Sequence, residues 1–169
     1  MKKIFLRIVL LLILANVGFG DIAQNLGDYY SINKGKVYYR DEKIENADIM
    51  SFKVLNEDYA KDKNHIYRGS EAIDSSLSGK IKDPETFEFL PNEIIYGTLY
   101  GKDKYNVYYI KNKMLNCFDS SYFIYEVEGI NKDKVEVLNN WFIKDDKNIY
   151  FEGEILEGVD YLSLIHISE

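Results

Sequence analysis

The chain of 169 residues carries one short pattern four times, and this repetition constrains the fold more than any other feature. Three full copies begin at Tyr59, Tyr100 and Phe142, and an altered copy begins at Tyr30. Each copy places an Asp-Lys-Asn-like turn before a Val or Ile that is followed by Tyr. A unit this short cannot bury a core alone, so neighbouring units must stabilise one another. The pattern therefore predicts a repeat protein.

The first half of each copy predicts a β-hairpin. An aspartate can accept a hydrogen bond from the backbone two residues on, and Asn or Gly tolerates positive φ. Triplets such as Ile66-Tyr67-Arg68 favour β-strands. Gly35 of the first copy occupies the position of Asn64 in the second, which predicts a left-handed residue there. Tyr105 and Lys147 occupy this position in the later copies, so those two turns are expected to differ.

The second half of each copy predicts another turn, a short strand and a connector. The turns are expected at Gly69, Asn112 and Gly153. Each strand is expected to carry one apolar residue, and these are Ile44, Ile73, Met114 and Ile155. The connectors are expected to begin at Asp48, Asp83 and Asp119. The carboxylates of Asp48 and Asp83 are expected to accept from an N–H two or three residues on. The aromatic residues that follow would anchor the connectors to the core, and these are Phe52, Phe87 and Phe123.

The spacing of the copies predicts two insertions. The marker residues Val37, Ile66, Val107 and Ile149 follow one another at steps of 29, 41 and 42 residues. The longer steps place a Ser/Gly-rich insertion around residues 74–80 and a second one at 126–140, with a strand of its own over 135–138. Insertions in repeat arrays usually lie on one surface.

These patterns predict an all-β fold of repeated antiparallel hairpins that form an elongated meander or repeat array. A closed barrel or a propeller-like arrangement is the alternative. A parallel solenoid is disfavoured because the turns are tight hairpin turns. Residues 21–161 are predicted to form a single domain.

Strand alternation places one tyrosine of every copy on the same face. These candidate binding residues are Tyr38, Tyr67, Tyr108 and Tyr150. An exposed ladder of tyrosines would form a ligand-stacking strip. The favoured interpretation packs each ring and bonds its hydroxyl to the neighbouring turn, for example to the Asp62 carboxylate, because buried tyrosines usually find such a partner.

The N-terminus has the organisation of an export signal. Two lysines supply the positive start, an apolar run over 8–19 follows, and small residues precede a cut before Asp21. An uncleaved anchor is the alternative, but the run is short for a membrane span. Residues 1–20 are therefore predicted to be a signal peptide. The mature protein would be periplasmic, at the cell surface or secreted, without a stable membrane span.

The remaining residues point to no reaction. The net charge of −7 argues against a nucleic-acid partner. The single cysteine, Cys117, is expected to be a small buried residue, and His65 to be a solvated turn residue. Asp145-Asp146 and the Asp62–Asn64 turn offer oxygens to calcium, but they lack the loop length and the terminal Glu of an EF-hand. The sequence thus predicts no catalytic residue, metal site or cofactor.

Three segments resemble the motifs of a known family. They are Asp62–Tyr67, Asp103–Tyr108 and Asp83–Phe87. These segments resemble the DKNYY family of exported bacterial proteins of unknown function, and the resemblance covers roughly Tyr30 to Asp160. The first copy departs from the pattern at Asn33, which stands in place of Asp. The resemblance implies an architecture and a compartment but no catalytic residues.

The last residues interrupt the fourth copy. Residues 162–169 resemble translated sequencing-adapter sequence, which predicts an artefactual tail and a natural protein that continues with further repeats. His166 lies in this tail and carries no functional argument.

The repeated aromatic residues without a convergent catalytic set predict a non-catalytic binding or scaffold module of the cell envelope. Its partner would be an envelope protein or glycan. The alternative is an envelope hydrolase that uses carboxylates in the inserted loops. A purely structural spacer within a longer natural chain is a third possibility.

Overall fold

The computed structural model describes residues 24–27, 29–74, 79–91, 98–116 and 119–158. The predicted signal peptide (1–20), Cys117 and the predicted artefactual tail (162–169) lie outside these residues. Across the described ranges, all regular secondary structure is β-strand, which confirms the all-β prediction. In the same ranges, no helix has the length and apolar character needed to cross a membrane.

The strands form four antiparallel sheets of four strands each. Sheet I contains β1 (Gln24–Gly27), β2 (Tyr30–Asn33), β3 (Lys36–Tyr39) and β4 (Glu42–Lys43). Sheet II contains β5 (Lys53–Val54), β6 (Tyr59–Lys61), β7 (Ile66–Arg68) and β8 (Glu71–Ala72). Sheet III contains β9 (Glu88–Phe89), β10 (Thr98–Lys102), β11 (Val107–Asn116) and β12 (Asp119–Glu126). Sheet IV contains β13 (Glu136–Val137), β14 (Phe142–Lys144), β15 (Ile149–Phe151) and β16 (Glu154–Ile155).

Strand order follows chain order in every sheet, so each repeat is a four-stranded meander. The two middle strands of a sheet are the predicted hairpin. The first strand comes from the preceding connector, and the fourth follows the second turn. Each described sheet has two edge strands, so none of them closes into a barrel.

The first hairpin turn differs between copies, but not as expected. In sheet I, Lys34 and Gly35 adopt positive φ values of 47° and 66°. Asn64 does not adopt positive φ, so the prediction of a left-handed residue there is wrong. Tyr105 in sheet III also has ordinary φ. The physical reason in sheet III is that a carboxylate accepts the N–H groups of the turn, which supports the loop without a left-handed residue.

The second turn confirms Gly69 and Gly153, which have positive φ values of 59° and 86°. The prediction at Asn112 is wrong, because this residue lies within β11 and pairs with Tyr122 of β12. Phe123 also lies on β12 and not in a connector. Sheet III therefore replaces the short second turn with a long pair of strands, which we call the arm and define as residues 110–116 and 119–124.

Backbone hydrogen bonds identify the residue that directly follows the fourth strand of each repeat. In each sheet its N–H donates to the carbonyl of the Val or Ile that follows the first turn. The four donors are Ile44, Ile73, Val127 and Leu156. Ile155 lies on β16, as predicted. Met114 also lies on a strand, but this strand is β11 and does not follow a second turn, so that prediction is wrong. In sheet III the arm lengthens the third and fourth strands, so the equivalent donor is Val127. Ile155 precedes the donor of sheet IV, Leu156, by one residue, and its side chain is 48% exposed.

The described residues group into two compact units. The first contains those up to Asp62 together with Tyr67–Glu71, and the second contains Lys63–Ile66 and those from Ala72 onward. The core of the first unit is formed by Tyr30, Val37, Ile44, Ala60 and Tyr67. The core of the second is formed by Leu90, Tyr100, Val107, Tyr109, Val127, Ile143 and Tyr150. Each unit thus draws its core from more than one sheet, as expected for repeats that stabilise their neighbours.

Candidate functional site

The aspartate of the repeated turn is a hydrogen-bond acceptor for three separate parts of the chain. In sheet III, Oδ1 of Asp103 accepts from the N–H groups of Tyr105 and Asn106, at 2.7 and 2.8 Å. Its Oδ2 accepts from the N–H of Asp83 and from the hydroxyl of Tyr108, each at 2.8 Å. The carboxylate therefore joins its own turn, the preceding connector and the next strand. We call this arrangement the carboxylate clamp.

The clamp of sheet IV is built in the same way. Oδ1 of Asp145 accepts from Lys147 N and Asn148 N, both at 2.8 Å. Its Oδ2 accepts from Asn131 N at 2.8 Å and from the Tyr150 hydroxyl at 3.4 Å. Burial alone would raise the pKa of Asp145, but these donors outweigh it and hold the pKa below its usual value. The ionised form is therefore the one that the fold favours.

Sheet II has the same connection between connector and strand. Oδ2 of Asp62 accepts from Asp48 N at 2.7 Å and from the Tyr67 hydroxyl at 2.8 Å. Asp62 and the Tyr67 ring are both buried. Sheet I has Asn33 at the aspartate position and closes instead through the left-handed Lys34–Gly35 turn.

The four tyrosines singled out as candidate binding residues do not share one environment. Tyr67, Tyr108 and Tyr150 are 1%, 0% and 0% exposed, and each donates its hydroxyl to a clamp. Burial raises the pKa of Tyr108 to about 12. Tyr38 of sheet I is partly exposed. Three of the four rings are therefore packed in the core and present no stacking surface to solvent.

The connectors begin as expected. Oδ1 of Asp48 accepts from Ser51 N at 3.0 Å, and Oδ1 of Asp83 accepts from Thr86 N at 3.2 Å. Phe87 is fully buried. Phe52 packs its ring against the first core cluster.

The third connector begins at Asn131 and not at Asp119. Asn131 N donates to its clamp as the first residues of the other two connectors do. The Asn131 Oδ1 accepts from the N–H of Asp133 at 3.2 Å. Val135 stands four residues after Asn131, where the other connectors have Phe, and it packs on the second core.

A second set of tyrosines, which the motif analysis did not single out, links successive sheets. The Tyr30 hydroxyl donates to the Asp58 carbonyl at 2.7 Å. The Tyr100 hydroxyl donates to the Trp141 carbonyl at 2.9 Å and accepts from Gly153 N at 3.1 Å. Both tyrosines are the first residue of their copy, and this shared position is the signal that could have identified them.

His65 is held in place more firmly than a solvated turn residue. Its Nδ1 lies 3.2 Å from Oδ1 of Asp74, which also accepts from Ile66 N at 3.2 Å. Asp74 is buried, and burial raises its pKa, while the nearby imidazole lowers it in part. The pair ties the first turn of sheet II to the residues after β8.

Within the described ranges, no three His, Cys, Asp or Glu side chains are grouped closely enough to hold a metal ion. The turn carboxylates of Asp62 and Asp145 accept hydrogen bonds from the protein's own N–H and O–H groups.

An open cleft of about 630 Å³ lies where the base of the arm faces the second turn and last strand of sheet IV. We call it the acidic cleft. Four glutamates are among the residues that line it, namely Glu126, Glu128, Glu152 and Glu154. Tyr125, Phe151 and Ile155 also line it and are 50%, 40% and 48% exposed. The cleft therefore combines carboxylates with large apolar side chains that solvent can reach.

The floor and the edges of the acidic cleft are set by contacts within the second unit. The Tyr109 ring packs against Tyr100, with ring centroids 5.1 Å apart, and is 1% exposed. Gly153 approaches it so closely that an added Cβ would lie 3.0 Å from the Tyr109 Cβ. Lys111 Nζ forms an ion pair with Glu152 at 2.8 Å. These residues were not predicted as a site.

Comparisons with known proteins agree with the repeat pattern. Neither the curated proteins nor the solved structures include a significant match. A family model described as the DKNYY family matches residues 30–169. Since this match covers most of the chain, the protein belongs to the DKNYY family.

Proposed function

We propose that the protein is an exported, non-catalytic binding or scaffold module of the cell envelope. The observation that carries the proposal is the acidic cleft, because solvent-accessible aromatic and aliphatic side chains gathered in a concave site are typical of ligand recognition. The volume of about 630 Å³ is within the range of protein sites for small molecules or short peptide segments.

The repeated motif and the arm contribute differently to the structure, and this difference supports the proposal. The repeated aspartates and tyrosines are occupied by hydrogen bonds that hold turns, connectors and strands together. The acidic cleft instead lies at the base of the arm, which only sheet III has among the described sheets. A repeated scaffold that carries one distinctive surface suits a protein that presents a binding site.

The placement in the envelope rests on the export signal predicted at residues 1–20. Expression of the full chain with a C-terminal tag, followed by cell fractionation and N-terminal sequencing, tests it. We expect the processed protein to begin at Asp21 and to leave the cytoplasm. An unprocessed protein that stays in the cytoplasm would refute the envelope location.

Binding is tested by co-sedimentation of the purified protein with insoluble cell envelopes. We expect the Tyr125→Ser/Ile155→Ser variant to lose most of the binding, since it removes exposed apolar walls of the cleft. The matched control is Met50→Ser/Tyr105→Ser, which replaces two side chains that are 68% and 57% exposed and lie outside the cleft lining. Equal binding by both variants would overturn the role of the cleft.

The four carboxylates of the acidic cleft also favour the second candidate, an envelope hydrolase. This function predicts that soluble fragments are released from purified envelopes over time. It further predicts that Glu128→Gln or Glu154→Gln abolishes the release while the variant stays folded. Such a result would refute the non-catalytic proposal, and envelopes that remain intact would remove the hydrolase.

A further inference from the structure

The acidic cleft carries more negative charge than its own residues neutralise. Four glutamates line it, together with one lysine, Lys111. Lys111 pairs with Glu152 at 2.8 Å, and Glu126 pairs with Lys82 at 2.9 Å. In the part of the chain that the structure describes, Glu128 and Glu154 form no ion pair. Two carboxylates therefore remain available to a positively charged ligand.

The apolar lining suits a cation on an apolar stem. Tyr125 and Phe151 offer half-exposed aromatic rings, and Ile155 adds an aliphatic side chain. An ammonium or guanidinium group is attracted to the face of an aromatic ring. The methylene groups of lysine and arginine pack along apolar surface while the charged head reaches a carboxylate. Carboxylates and exposed rings together thus match these two side chains.

One buried hydroxyl at the acidic cleft has no well-formed hydrogen bond within the part of the chain that the structure describes. Tyr109 lines the cleft, and among the described residues its buried hydroxyl makes no hydrogen bond of good geometry, although the Glu152 carboxylate lies close to it. Burial raises the pKa of Tyr109, and the nearby Glu152 carboxylate raises it further. A buried hydroxyl without a partner is unfavourable and is uncommon in folded proteins. A ligand with several N–H donors would give this hydroxyl a partner.

We propose that the acidic cleft binds a basic peptide segment of a partner protein, through an arginine or lysine placed between the aromatic rings and the carboxylates of Glu128 and Glu154. This inference rests on the proposed binding function and specifies its ligand. A neutral glycan stacks on aromatic rings too, but it leaves both free carboxylates without a counter-charge. The arginine guanidinium supplies five N–H donors and is the better match to the buried Tyr109 hydroxyl.

The test uses the purified full chain and two fluorescein-labelled peptides, hexaarginine and hexacitrulline. Citrulline keeps the shape of arginine but removes its charge. Fluorescence anisotropy is recorded at about 50 mM and about 300 mM salt, since salt screens exposed charges. We expect hexaarginine to bind at least about tenfold more tightly than hexacitrulline, and to lose affinity at the higher salt concentration.

The decisive variant is Glu128→Gln/Glu154→Gln, for which we expect an affinity for hexaarginine at least about tenfold lower. The matched control, Asp41→Asn/Glu57→Gln, removes the same charge from two exposed positions outside the cleft lining and should bind as the original protein does. Circular dichroism and thermal unfolding confirm that each variant is folded. Equal losses in the two variants would overturn the proposal, because binding would then reflect net charge alone. Equal affinity for the two peptides would also overturn it.

Envelope co-sedimentation of Glu128→Gln/Glu154→Gln separates this inference from the proposed function. If the original protein binds envelopes but does not bind hexaarginine, the basic-peptide ligand is wrong and the envelope module stands. If the original protein binds neither envelopes nor hexaarginine, the proposed function fails as well. Loss of both activities in the variant alone supports both proposals.

Discussion

Replacing Asp103 by Asn removes the charge of a clamp while nearly keeping its shape. The carboxylate accepts four hydrogen bonds, from Tyr105 N, Asn106 N, Asp83 N and the Tyr108 hydroxyl, at 2.7 to 2.8 Å. An amide keeps one acceptor oxygen and turns its NH₂ group toward other donors. A hydrogen bond to a charged group contributes about 1.5–3 kcal/mol, so losing one or two of them predicts a destabilisation of about 3 kcal/mol.

Urea unfolding followed by circular dichroism and by the fluorescence of the single tryptophan, Trp141, measures this loss. Coincident transitions from the two probes would justify a two-state treatment. Native-state hydrogen exchange gives a local measurement, because the amides of Asp83, Tyr105 and Asn106 all donate to this carboxylate. We expect these three amides to lose protection before the rest of the second unit.

The matched control is Asp133→Asn, at a side chain that is 79% exposed, and it should change stability by no more than about 0.5 kcal/mol. The clamp interpretation is refuted if Asp103→Asn destabilises the protein no more than this control does. It is also refuted if the amides of Asp83, Tyr105 and Asn106 keep their protection in Asp103→Asn.

Four further predictions concern single positions. In urea unfolding, Asn131→Asp should change the free energy of unfolding by no more than about 0.5 kcal/mol, while Asn131→Ala should lower it by about 1 kcal/mol. The reason is that only alanine removes the acceptor of the connector turn, and equal losses in the two variants would contradict this. Gly101→Ala should cost about 1–3 kcal/mol, because its Cβ would lie 2.3 Å from Cζ of Phe87, and adding Phe87→Leu should recover part of the loss; no recovery would exclude that contact as the cause. Gly35→Ala should lower the free energy of unfolding by about 1 kcal/mol, because φ is 66°; an unchanged value would show that the turn can rearrange. Burial raises the pKa of the Tyr108 phenol from 10.0 to about 12, so it should stabilise the fold fully below pH 10 and lose that contribution as the pH rises toward 12. Tyrosinate absorbance that rises at the same pH in native and urea-unfolded protein would argue against its burial.

The fold class follows directly from the sequence because the clamp residues recur as a unit. Asp62, Asp103 and Asp145 each precede a β-forming triplet, and only a hairpin places that aspartate beside the tyrosine five residues later. The packed interpretation of these tyrosines likewise depends on contacts within one hairpin. Interactions that span five residues are visible in a linear pattern.

The motif residues alone do not locate the arm and the connector of the third repeat. Asp119-Ser120-Ser121 imitates the start of a connector, yet it belongs to the arm. The connector begins at Asn131 and has Val135 in place of Phe, so its residue types do not match those of the other two connectors. A positional signal was present, since Asn131 precedes its clamp aspartate by 14 residues, the same interval as from Asp48 to Asp62.

The acidic cleft had no comparable signal. Its walls come from the residues at the base of the arm and from sheet IV, which only the packing of successive sheets brings together. In the sequence, Glu128 and Glu154 are two of 28 acidic residues, and nothing marks them as neighbours. The exposure of Tyr125, Phe151 and Ile155 depends equally on the packing of the sheets around them.

The clamp also makes the chain tolerant of changes in length. The interval between connector and clamp is 20 residues from Asp83 to Asp103 and 14 in the other two cases, yet the same backbone N–H meets the same oxygen. The arm extends a second turn that is only two residues long in sheet I, at Arg40 and Asp41. Both points are natural grafting positions, where a foreign peptide can be displayed between two fixed ends while the repeat retains its register.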